Sequence, residues 1–535
     1  MNLKRMLSLT LMLMTTAALA EMPALEPEEL LPLERQFIDE AEIPEAALPG
    51  ADGIELVTRV YDGDGNEIED FQRAEPIYFG AAEEYTALEG ITTFRGNNYR
   101  NCASWGSIGG EPTAFSLKWV YDIGALDDWT GVGWTGQCSI VRWPAETVQI
   151  MNIYDEKKAK DGLTEVIYAT LDGHIYFLDL DDGTPTRDAI NIGAPIKGSL
   201  TIDPRGYPLL YCGQGIDEVH GKSVQIGTRI FSLIDFEVLY FIDGHDANAY
   251  RHWYAFDSSP LIDARTDTML QLGENGIFYT VKLNTRYDPA AGTISIDPEM
   301  VKYVYKSDVS TRPGMENSVA VYNCYACFVD NSGLIQCVDV NTMEPVWAGD
   351  MGDDTDSTVV LEVEDDGAVA LYTACELDLR GNKGDCHIRR LDVLTGAQVW
   401  QVDVPCRQSD GNNGGAFATT ALGTGSLGDY IYIQVARTDE GGTLLCIHKE
   451  TGEVVWTRGL KAYGWSSPVC VYSDSGRGYV AVGSCSGQLR LLDGLTGELI
   501  CDGDLQANIE GSPVVFGNTL VVGTRGRKIV AVTIE

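Results

Sequence analysis

The fold is decided by Leu391-Asp392-Val393-Leu394-Thr395-Gly396-Ala397-Gln398-Val399-Trp400, a stretch that the chain repeats. An Asp in such a turn accepts hydrogen bonds from the backbone two residues on, and a Gly adopts the positive φ that closes the turn. The Trp of each copy is predicted to start the next strand and to pack between neighbouring repeats. The aspartates and tryptophans that mark the repeat, in its clear and its weaker copies, are Asp179, Asp339, Asp392, Asp493, Trp347, Trp400 and Trp456.

The copies follow one another at intervals of 45 to 56 residues, counted between their Asp-equivalent positions. A second landmark recurs in step with the first, in Ser258-Ser259-Pro260, Ser466-Ser467-Pro468 and Gly511-Ser512-Pro513. Within each interval apolar residues alternate with polar ones, which is typical of short strands joined by tight turns. A period of this length with four strands belongs to β-propeller blades.

The sequence therefore predicts an all-β propeller of eight four-stranded blades, with seven blades as the alternative count. The blades are expected to begin near residues 118, 182, 238, 300, 343, 396, 452 and 497. The third is the least regular, because it lacks the Thr-Gly pair and carries an insertion over 288–297. An acidic N-terminal extension is expected over 21–90, ahead of a propeller domain over 91–535.

Composition and charge exclude several classes of function. Lys and Arg number 38 and Asp and Glu 79, for a net charge of -41. Such a surface repels nucleic acid and anionic lipid headgroups. No stretch beyond the N-terminus is apolar for long enough to predict a transmembrane segment in the mature chain.

The first twenty residues have the pattern of a signal peptide. Lys4 and Arg5 precede the apolar run Met6 to Met14, and Ala18-Leu19-Ala20 is a small-residue cleavage site. The mature protein is therefore predicted to be exported to the periplasm, the cell envelope or the extracellular space after cleavage near Ala20.

The repeats resemble the PQQ-like (quinoprotein-like) β-propeller family. The matching residues are the LDxxTGxxxW copies and the segment Thr93-Phe94-Arg95-Gly96-Asn97-Asn98-Tyr99-Arg100, which is similar to a lead-in found before the first blade of exported bacterial members. The resemblance covers residues 91–535 and implies the fold. It implies less about function, since the family includes both dehydrogenases and non-catalytic scaffolds.

The family's quinone-dependent dehydrogenases place two adjacent cysteines beside PQQ and hold a calcium ion. This sequence has no Cys-Cys pair, so we expect no cofactor, with PQQ and Ca²⁺ as the alternative. The function predicted is a non-catalytic exported binding or scaffold protein, for a protein, peptide or glycan ligand. The alternative is a PQQ-dependent dehydrogenase or a carbohydrate-active enzyme.

The candidate ligand surface lies in the segments before the second strand of each predicted blade. In a propeller these segments reach one face near the central channel. Aromatic side chains grouped there would suit a glycan or peptide ligand, although they could equally fill the channel or pack between blades. The candidate rim consists of Trp134, Trp253, Tyr254, Phe417, Tyr463 and Trp465.

The chain has 13 cysteines, and an exported protein can oxidise them. Cys375 and Cys386 flank a polar loop between two predicted strands, which predicts a disulfide, with two buried thiols as the alternative. Cys324 and Cys327 form a single CxxC, which favours a strand and its turn over a zinc site, since zinc needs four ligands. Asp62-x-Asp64-x-Asn66 favours a hairpin turn over a calcium loop.

Overall fold

The computed structural model of the protein describes residues 54–409 and 411–535. The chain forms an all-β propeller of eight blades around one channel. The predicted fold class and the count of eight blades are therefore confirmed. The predicted signal peptide over 1–20 lies outside the described residues.

Each blade is an antiparallel sheet of four main strands, the first at the channel and the fourth at the outside. Blade 1 consists of Ser139–Arg142, Thr164–Ala169, His174–Asp179 and Ile190–Asn191, and blade 2 of Thr201–Ile202, Leu209–Cys212, Gly227–Ser232 and Val238–Asp243. Blade 3 consists of Leu261–Asp263, Thr268–Leu272, Ile277–Lys282 and Glu299–Ser307, and blade 4 of Ala320–Tyr322, Tyr325–Val329, Leu334–Asp339 and Glu344–Asp350. Blade 5 consists of Val360–Val363, Val369–Ala374, Lys383–Asp392 and Gln398–Arg407, and blade 6 of Ala421–Leu422, Tyr430–Ala436, Gly442–His448 and Val454–Gly459. Blade 7 consists of Val469–Tyr472, Gly478–Gly483, Gln488–Asp493 and Leu499–Asp504, and blade 8 of Val514–Phe516, Thr519–Thr524, Lys528–Ile534 and Phe115–Asp122.

Five further strands extend these sheets. Leu56–Asp62 pairs with Glu299–Ser307 as a fifth, outer strand of blade 3, so part of the acidic N-terminal segment packs on the propeller. The others lie on the channel side or between blades. They are Glu89–Ile91 on blade 1, Ser104–Trp105 on blade 8, and the pair Glu376–Leu377 and Gly414–Gly415 beside blade 6.

Helices are few and short among the described residues. No helix there is long and apolar enough to cross a membrane. The helices are the α-helices Ala145–Ile150 and Asp155–Lys158 and the 3-10 turns Ala82–Glu84 and Gly425–Leu427. The remaining strands form three small hairpins, Ala125–Leu126 with Trp129–Thr130, Glu218–Val219 with Lys222–Ser223, and Arg286–Asp288 with Thr293–Ser295.

The predicted blade boundaries are wrong by one strand. The strand that carries the repeat tryptophan is the fourth strand of its own blade, since Glu344–Asp350 pairs with Leu334–Asp339. The tight Asp-x-x-Thr-Gly turn joins two antiparallel neighbours, so it cannot separate two blades. The same shift places Phe115–Asp122 beside Lys528–Ile534, and this pairing of the two ends of the domain closes the ring.

The repeat tryptophans join each blade to the next. The indole Nε1 of Trp347 donates to the carbonyl of Val393, and its ring lies over Gly396 of the following blade. Trp400 and Trp456 repeat this contact one and two blades further on. Trp347 and Trp400 are 7% and 8% exposed, and Trp456 is half-buried.

The repeat aspartates organise the turns on which these rings lie. Oδ1 of Asp392 accepts hydrogen bonds from the backbone N–H of Thr395 (2.8 Å) and from the Thr395 hydroxyl (2.8 Å). Asp493 makes the same contacts with Thr496, and Asp339 accepts from the N–H of Asn341. The more degenerate turn at Asp179 is held by ion pairs to two lysines of the inserted helical segment, Lys157 and Lys160.

A ring of hydrogen bonds joins the starts of the first strands around the channel. At six of the eight junctions between blades, a backbone N–H of one blade donates to a side-chain hydroxyl of the next. The bonds are Gln137 to Ser199 (2.9 Å), Ser259 to Ser318 (2.8 Å), Ser318 to Thr358 (2.9 Å), Thr358 to Thr419 (3.1 Å), Thr419 to Ser467 (3.0 Å) and Ser467 to Ser512 (3.0 Å). The N–H of Ser512 donates to the carbonyl of Gly136 (3.1 Å) and joins blade 8 to blade 1. Blades 2 and 3 are joined by a hydrogen bond between the hydroxyls of Thr201 and Ser259 (3.0 Å).

We expect Gly396→Ala to destabilise the protein through the tryptophan contact. Gly396 has φ +71°, and a Cβ atom there would lie 2.6 Å from the Trp347 ring. The left-handed conformation costs about 1–2 kcal/mol and the forced contact about 1–3 kcal/mol more. Gly367→Ala is the control, because Gly367 has φ +89° but open space around it. Equal losses in free energy of unfolding for the two variants, measured by chemical denaturation, would contradict the docking contact.

We also expect the tryptophans to differ in their contribution to stability. Trp400→Ala should lower the free energy of unfolding by about 3–5 kcal/mol, since the ring is buried and its N–H is bonded. Trp456→Ala should cost less, because Trp456 is only half-buried. Denaturant titration of both variants measures the difference, and a larger loss for Trp456→Ala would be inconsistent with this packing.

Candidate functional site

The candidate site lies at the mouth of the channel, next to the hydrogen-bond ring. The residue two positions before each ring residue repeats from blade to blade. These eight residues are Thr135, Lys197, Asp257, Glu316, Asp356, Phe417, Trp465 and Glu510. Six of them line a single cavity, namely Thr135, Asp257, Glu316, Asp356, Phe417 and Trp465.

The lead-in segment separates this cavity from a second one along the channel. Phe94 lines the cavity at the mouth, whereas Arg95 lines the second cavity. Arg95 donates to the carbonyl of Pro468 (2.8 Å), and Arg100 donates to the carbonyl of Ser259 (2.7 Å). Burial lowers the pKa of Arg100 to about 9 and that of Arg95 to about 10. Both arginines are fully buried, so the lead-in segment is held in a fixed position between the two cavities.

Four of the six predicted rim residues form one aromatic cluster. Trp465 is at its centre, with ring centroids 4.7 Å from Phe417, 5.4 Å from Tyr463 and 6.0 Å from Trp134. The Trp465 ring is buried, yet its Nε1 has no hydrogen-bond partner. We call Trp134, Phe417, Tyr463 and Trp465 the aromatic wall.

The other two predicted rim residues lie outside this wall. Trp253 is 42% exposed and has the Nζ of Lys197 at 6.0 Å from its ring centroid. Tyr254 stacks on His245, at 4.0 Å between ring centroids. The structure therefore brings together four of the six residues and places the remaining two towards blade 2 and its loop.

The backbone is strained where it presents the aromatic wall. Trp134 and Thr135 have φ values of +51° and +56°. Two consecutive left-handed residues other than glycine are uncommon, and such strain concentrates at ligand sites. The surrounding contacts hold this conformation, because Trp134 packs on both Trp465 and Trp129.

A first group of buried carboxylates lies beside the wall. Oxygen atoms of Asp257, Glu274 and Glu316 all lie within 4.8 Å of one another. Lys197 forms an ion pair with Asp257 (3.3 Å) and lies 4.8 Å from the Trp134 ring centroid. Burial lowers the pKa of Lys197, but the negative charges of Asp257 and Glu274 outweigh it and leave the pKa above its ordinary value.

Glu274 is the least compensated member of this first group. It is fully buried, and neither of its carboxylate oxygens has a hydrogen-bond partner. Burial, and then the carboxylates of Glu316 and Asp257, raise its pKa well above the ordinary value. The negative charge of the first group therefore exceeds the single positive charge that Lys197 supplies.

A second group of carboxylates belongs to blade 5. Asp354 and Asp356 lie in the loop before its first strand, and Glu376 lies between its second and third strands. Their oxygen atoms also lie within 4.8 Å of one another. No lysine or arginine of the described residues forms an ion pair with any of the three. Burial and the neighbouring carboxylates raise the pKa of each well above its ordinary value.

Sequence reasoning found the aromatic residues and missed Lys197 and all six carboxylates. A signal for Lys197, Asp257, Glu316 and Asp356 was present, because each precedes a ring residue by two positions. Asp354, Glu274 and Glu376 carry no such signal. Asp354 lies two positions further from the ring residue, and the two glutamates lie between the second and third strands of their blades. The charged half of the mouth can be recognised only in the folded structure, where the blades bring these residues together.

The predicted disulfide is not formed, and its cysteines are free, buried thiols. The N–H of Cys375 donates to the carbonyl of His387, so Cys375 and His387 are opposite each other and Cys386 points to the other face of the sheet. Burial raises the pKa of Cys375 to about 11. Cys324 and Cys327 are likewise buried, and Cys327 lies opposite Cys337 in blade 4.

The predicted hairpin turn after residue 62 is present in part. Oδ1 of Asp62 accepts from the N–H of Asn66 (2.8 Å), and Tyr61 forms an isolated antiparallel bridge with Glu67. The strand before the turn is paired with blade 3 rather than with a second hairpin strand.

Comparison with known proteins supports this fold. Residues 384–474 and 442–535 match the family model described as "Outer membrane protein assembly factor BamB". The chain is a PQQ-like repeat β-propeller. The resemblance inferred from the repeats is thus confirmed. Among curated proteins, none matches the chain.

Solved structures similar to this chain include both enzymes and non-enzymes. A quinohemoprotein alcohol dehydrogenase from Pseudomonas putida HK5 has 12% identity and a TM-score of 0.54, covering 87% of this chain and 83% of its own. BamB from Moraxella catarrhalis has 16% identity and a TM-score of 0.46, covering 75% and 97%. The computationally designed Ika8 protein has 12% identity and a TM-score of 0.45, covering 69% and 93%. At such identities the likeness to the dehydrogenase concerns the fold alone.

The residues at the mouth do not fit a quinone. No cysteine of the described residues lines the cavity. The rings of the aromatic wall pack on one another, with Trp465 against both Phe417 and Trp134, so these rings form no open slot for a flat cofactor. The carboxylate groups, in contrast, are the oxygen donors that hard cations prefer.

The raised pKa of Glu274 predicts a pH dependence of stability. A carboxyl whose pKa is higher in the folded protein stabilises it below the unfolded pKa, and this contribution is lost as the pH rises. Glu274→Gln should therefore become increasingly stable relative to the natural protein between about pH 5 and pH 8. Asp439→Asn, at a fully exposed side chain, is the control. A stability difference for Glu274→Gln that does not change with pH, in thermal melts, would refute this.

Proposed function

We propose that the protein is a non-catalytic, exported binding protein whose channel mouth holds a basic side chain of a protein or peptide partner. The observation that carries this proposal is the pairing of the aromatic wall with six carboxylates that only partly find a positive counterpart. Aromatic faces and carboxylates together are the surroundings that favour ammonium and guanidinium groups.

Lys197 supports this reading of the chemistry. Its Nζ lies over the Trp134 ring and forms an ion pair with Asp257, so the mouth already holds one ammonium group of the chain itself. Glu316 and Asp356 line the same cavity and form no ion pair with a lysine or arginine within the described part of the chain. A second positive group, supplied by a ligand, would therefore meet carboxylates on one side and the aromatic wall on the other.

The family description adds support for a protein ligand and for export. The matched family model is described as an outer membrane protein assembly factor, which is a non-catalytic role. The signal peptide predicted over 1–20 supports export. The strain at Trp134 and Thr135 fits a surface shaped for a ligand rather than for stability.

The alternative functions are a PQQ-dependent dehydrogenase and a carbohydrate-active enzyme. The cavity lining does not favour the first, for the reasons given above. For the second, buried carboxylates with raised pKa could act as acids, but no pair among the described residues is singled out by an open sugar-sized cleft. A glycan ligand without catalysis would use the aromatic wall alone and would not need the carboxylates.

A direct test measures binding of short peptides that carry one lysine or arginine by the quenching of tryptophan fluorescence. A matched peptide with norleucine in place of lysine should not bind. Trp134→Ala should weaken binding about 3- to 30-fold, the range of a desolvated cation–π contact. Trp253→Ala, outside the wall, should change it less than twofold.

The carboxylate half of the mouth is tested by Glu316→Gln, with Glu344→Gln at an exposed site of the same blade as the control. The first variant should weaken binding of the basic peptides and the second should not. Equal binding of lysine and norleucine peptides, or binding of neutral oligosaccharides alone, would contradict a basic ligand. A quinone absorption band after incubation with PQQ would favour the dehydrogenase.

A further inference from the structure

We propose that Asp354, Asp356 and Glu376 form a binding site for one hard divalent cation, for which Ca²⁺ is the best match. The site adjoins the carboxylates around Lys197, and its Asp356 also lines the cavity at the mouth. The inference goes beyond the proposed function, because a metal site at this position does not require a basic ligand.

The three side chains are brought together from two loops in a way that fixes their positions. The backbone N–H of Glu376 donates to the carbonyl of Asp354 (2.7 Å), so the two loops are tied directly. Gly415 pairs with Glu376 from the other side, with φ +90°, where a Cβ atom would lie 2.6 Å from the Glu376 Cα. Only glycine allows this approach, and it holds Glu376 against the Asp354 loop.

Asp353 strengthens this scaffold without being part of the proposed site. Its Oδ1 accepts from the N–H groups of Asp354 (2.9 Å), Asp378 (3.2 Å) and Leu379 (2.7 Å). Its Oδ2 accepts from the N–H of Arg380 (3.2 Å). One carboxylate thus joins the segment before Asp354 to the segment after Glu376, which is the support that a preformed ligand site needs.

Two oxygen atoms of the site are buried without a hydrogen-bond partner. Glu376 is 1% exposed and its Oε1 has none, while its Oε2 accepts from the Asn413 side-chain amide (3.2 Å). Asp354 is 8% exposed and its Oδ1 has none. A buried carboxylate oxygen without a donor is costly, and a bound cation would satisfy both.

The first carboxylate group has a positive partner that the second group lacks. There Lys197 supplies a positive group 3.3 Å from Asp257. Here three carboxylates meet with no lysine or arginine ion pair in the described residues, although the backbone holds them at close range. The group must either take up protons or bind a cation.

The donor atoms indicate which cation. All three ligands are carboxylates, and no histidine or cysteine joins the cluster. Oxygen-only donors suit Ca²⁺ and Mg²⁺ rather than Zn²⁺. Ca²⁺ accepts six to eight oxygens in irregular geometry, and Asp356 also lines the open cavity, from which water can complete the shell.

The test uses the full-length mature chain, without peptide ligand. Titration calorimetry with Ca²⁺ should show one site, and Tb³⁺ should bind in its place with luminescence sensitised by tryptophan. Glu376→Gln and Asp354→Asn should each weaken Ca²⁺ binding at least tenfold. Glu274→Gln, a buried acid of the first group, is the matched control and should leave Ca²⁺ affinity within twofold.

A stability measurement separates loss of the site from loss of the fold. Without metal, Glu376→Gln and Asp354→Asn should melt at a higher temperature than the natural protein at pH 8, because each removes repulsion between buried carboxylates. Added Ca²⁺ should raise the melting temperature of the natural protein and not that of the variants.

Three results would overturn the proposal. They are no saturable Ca²⁺ or Tb³⁺ binding, binding that survives both variants unchanged, and binding that Glu274→Gln abolishes as strongly as Glu376→Gln does. Because no peptide is present, none of these results depends on whether the mouth binds basic side chains. Failure of peptide binding with intact Ca²⁺ binding would instead reject only the proposed function.

Discussion

The ring of hydrogen bonds around the channel is the constraint on which the rest of this propeller depends. Each blade begins with an edge strand whose first N–H points towards the next blade. A buried N–H without an acceptor would cost about 1–3 kcal/mol. The hydroxyls of Ser318, Thr358, Thr419 and their equivalents supply the acceptors, one from each following blade. At six of the eight junctions the acceptor is such a hydroxyl, so removing it leaves a backbone donor of the neighbouring blade unpaired.

This constraint also determines where the functional chemistry lies. A residue whose side chain accepts a hydrogen bond in the ring must keep its hydroxyl. The residue two positions earlier lies at the mouth of the channel and can differ in every blade. Blades 3, 4 and 5 carry Asp257, Glu316 and Asp356 there, and blades 6 and 7 carry Phe417 and Trp465. One half of the mouth is therefore acidic and the adjoining half aromatic, although the backbone beneath them repeats.

The sequence predicted the repeat-based features of the fold and only part of the site. The Asp-x-x-Thr-Gly turn and its Trp are local signals, so Asp392 and Trp400 were recognised without a structure. Trp119 makes the same docking contact, with its Nε1 on the carbonyl of Leu180, but its strand is separated from the rest of its blade by almost the whole chain. Glu274 and Glu376 could not be recognised among 79 acidic residues, because only the assembled loops bring them near other carboxylates.

The acidity of the mouth differs in kind from the acidity of the whole chain. Surface carboxylates are solvated and screened by salt within about 8–10 Å, so a net charge of -41 has little local effect. Glu274 and Glu376 are buried, where screening is weak and their pKa values rise. A positive group placed beside them would favour their ionised forms and lower these pKa values. Affinity for a cation is thus concentrated at the mouth, because the fold keeps these carboxylates together, close to the aromatic wall and away from water.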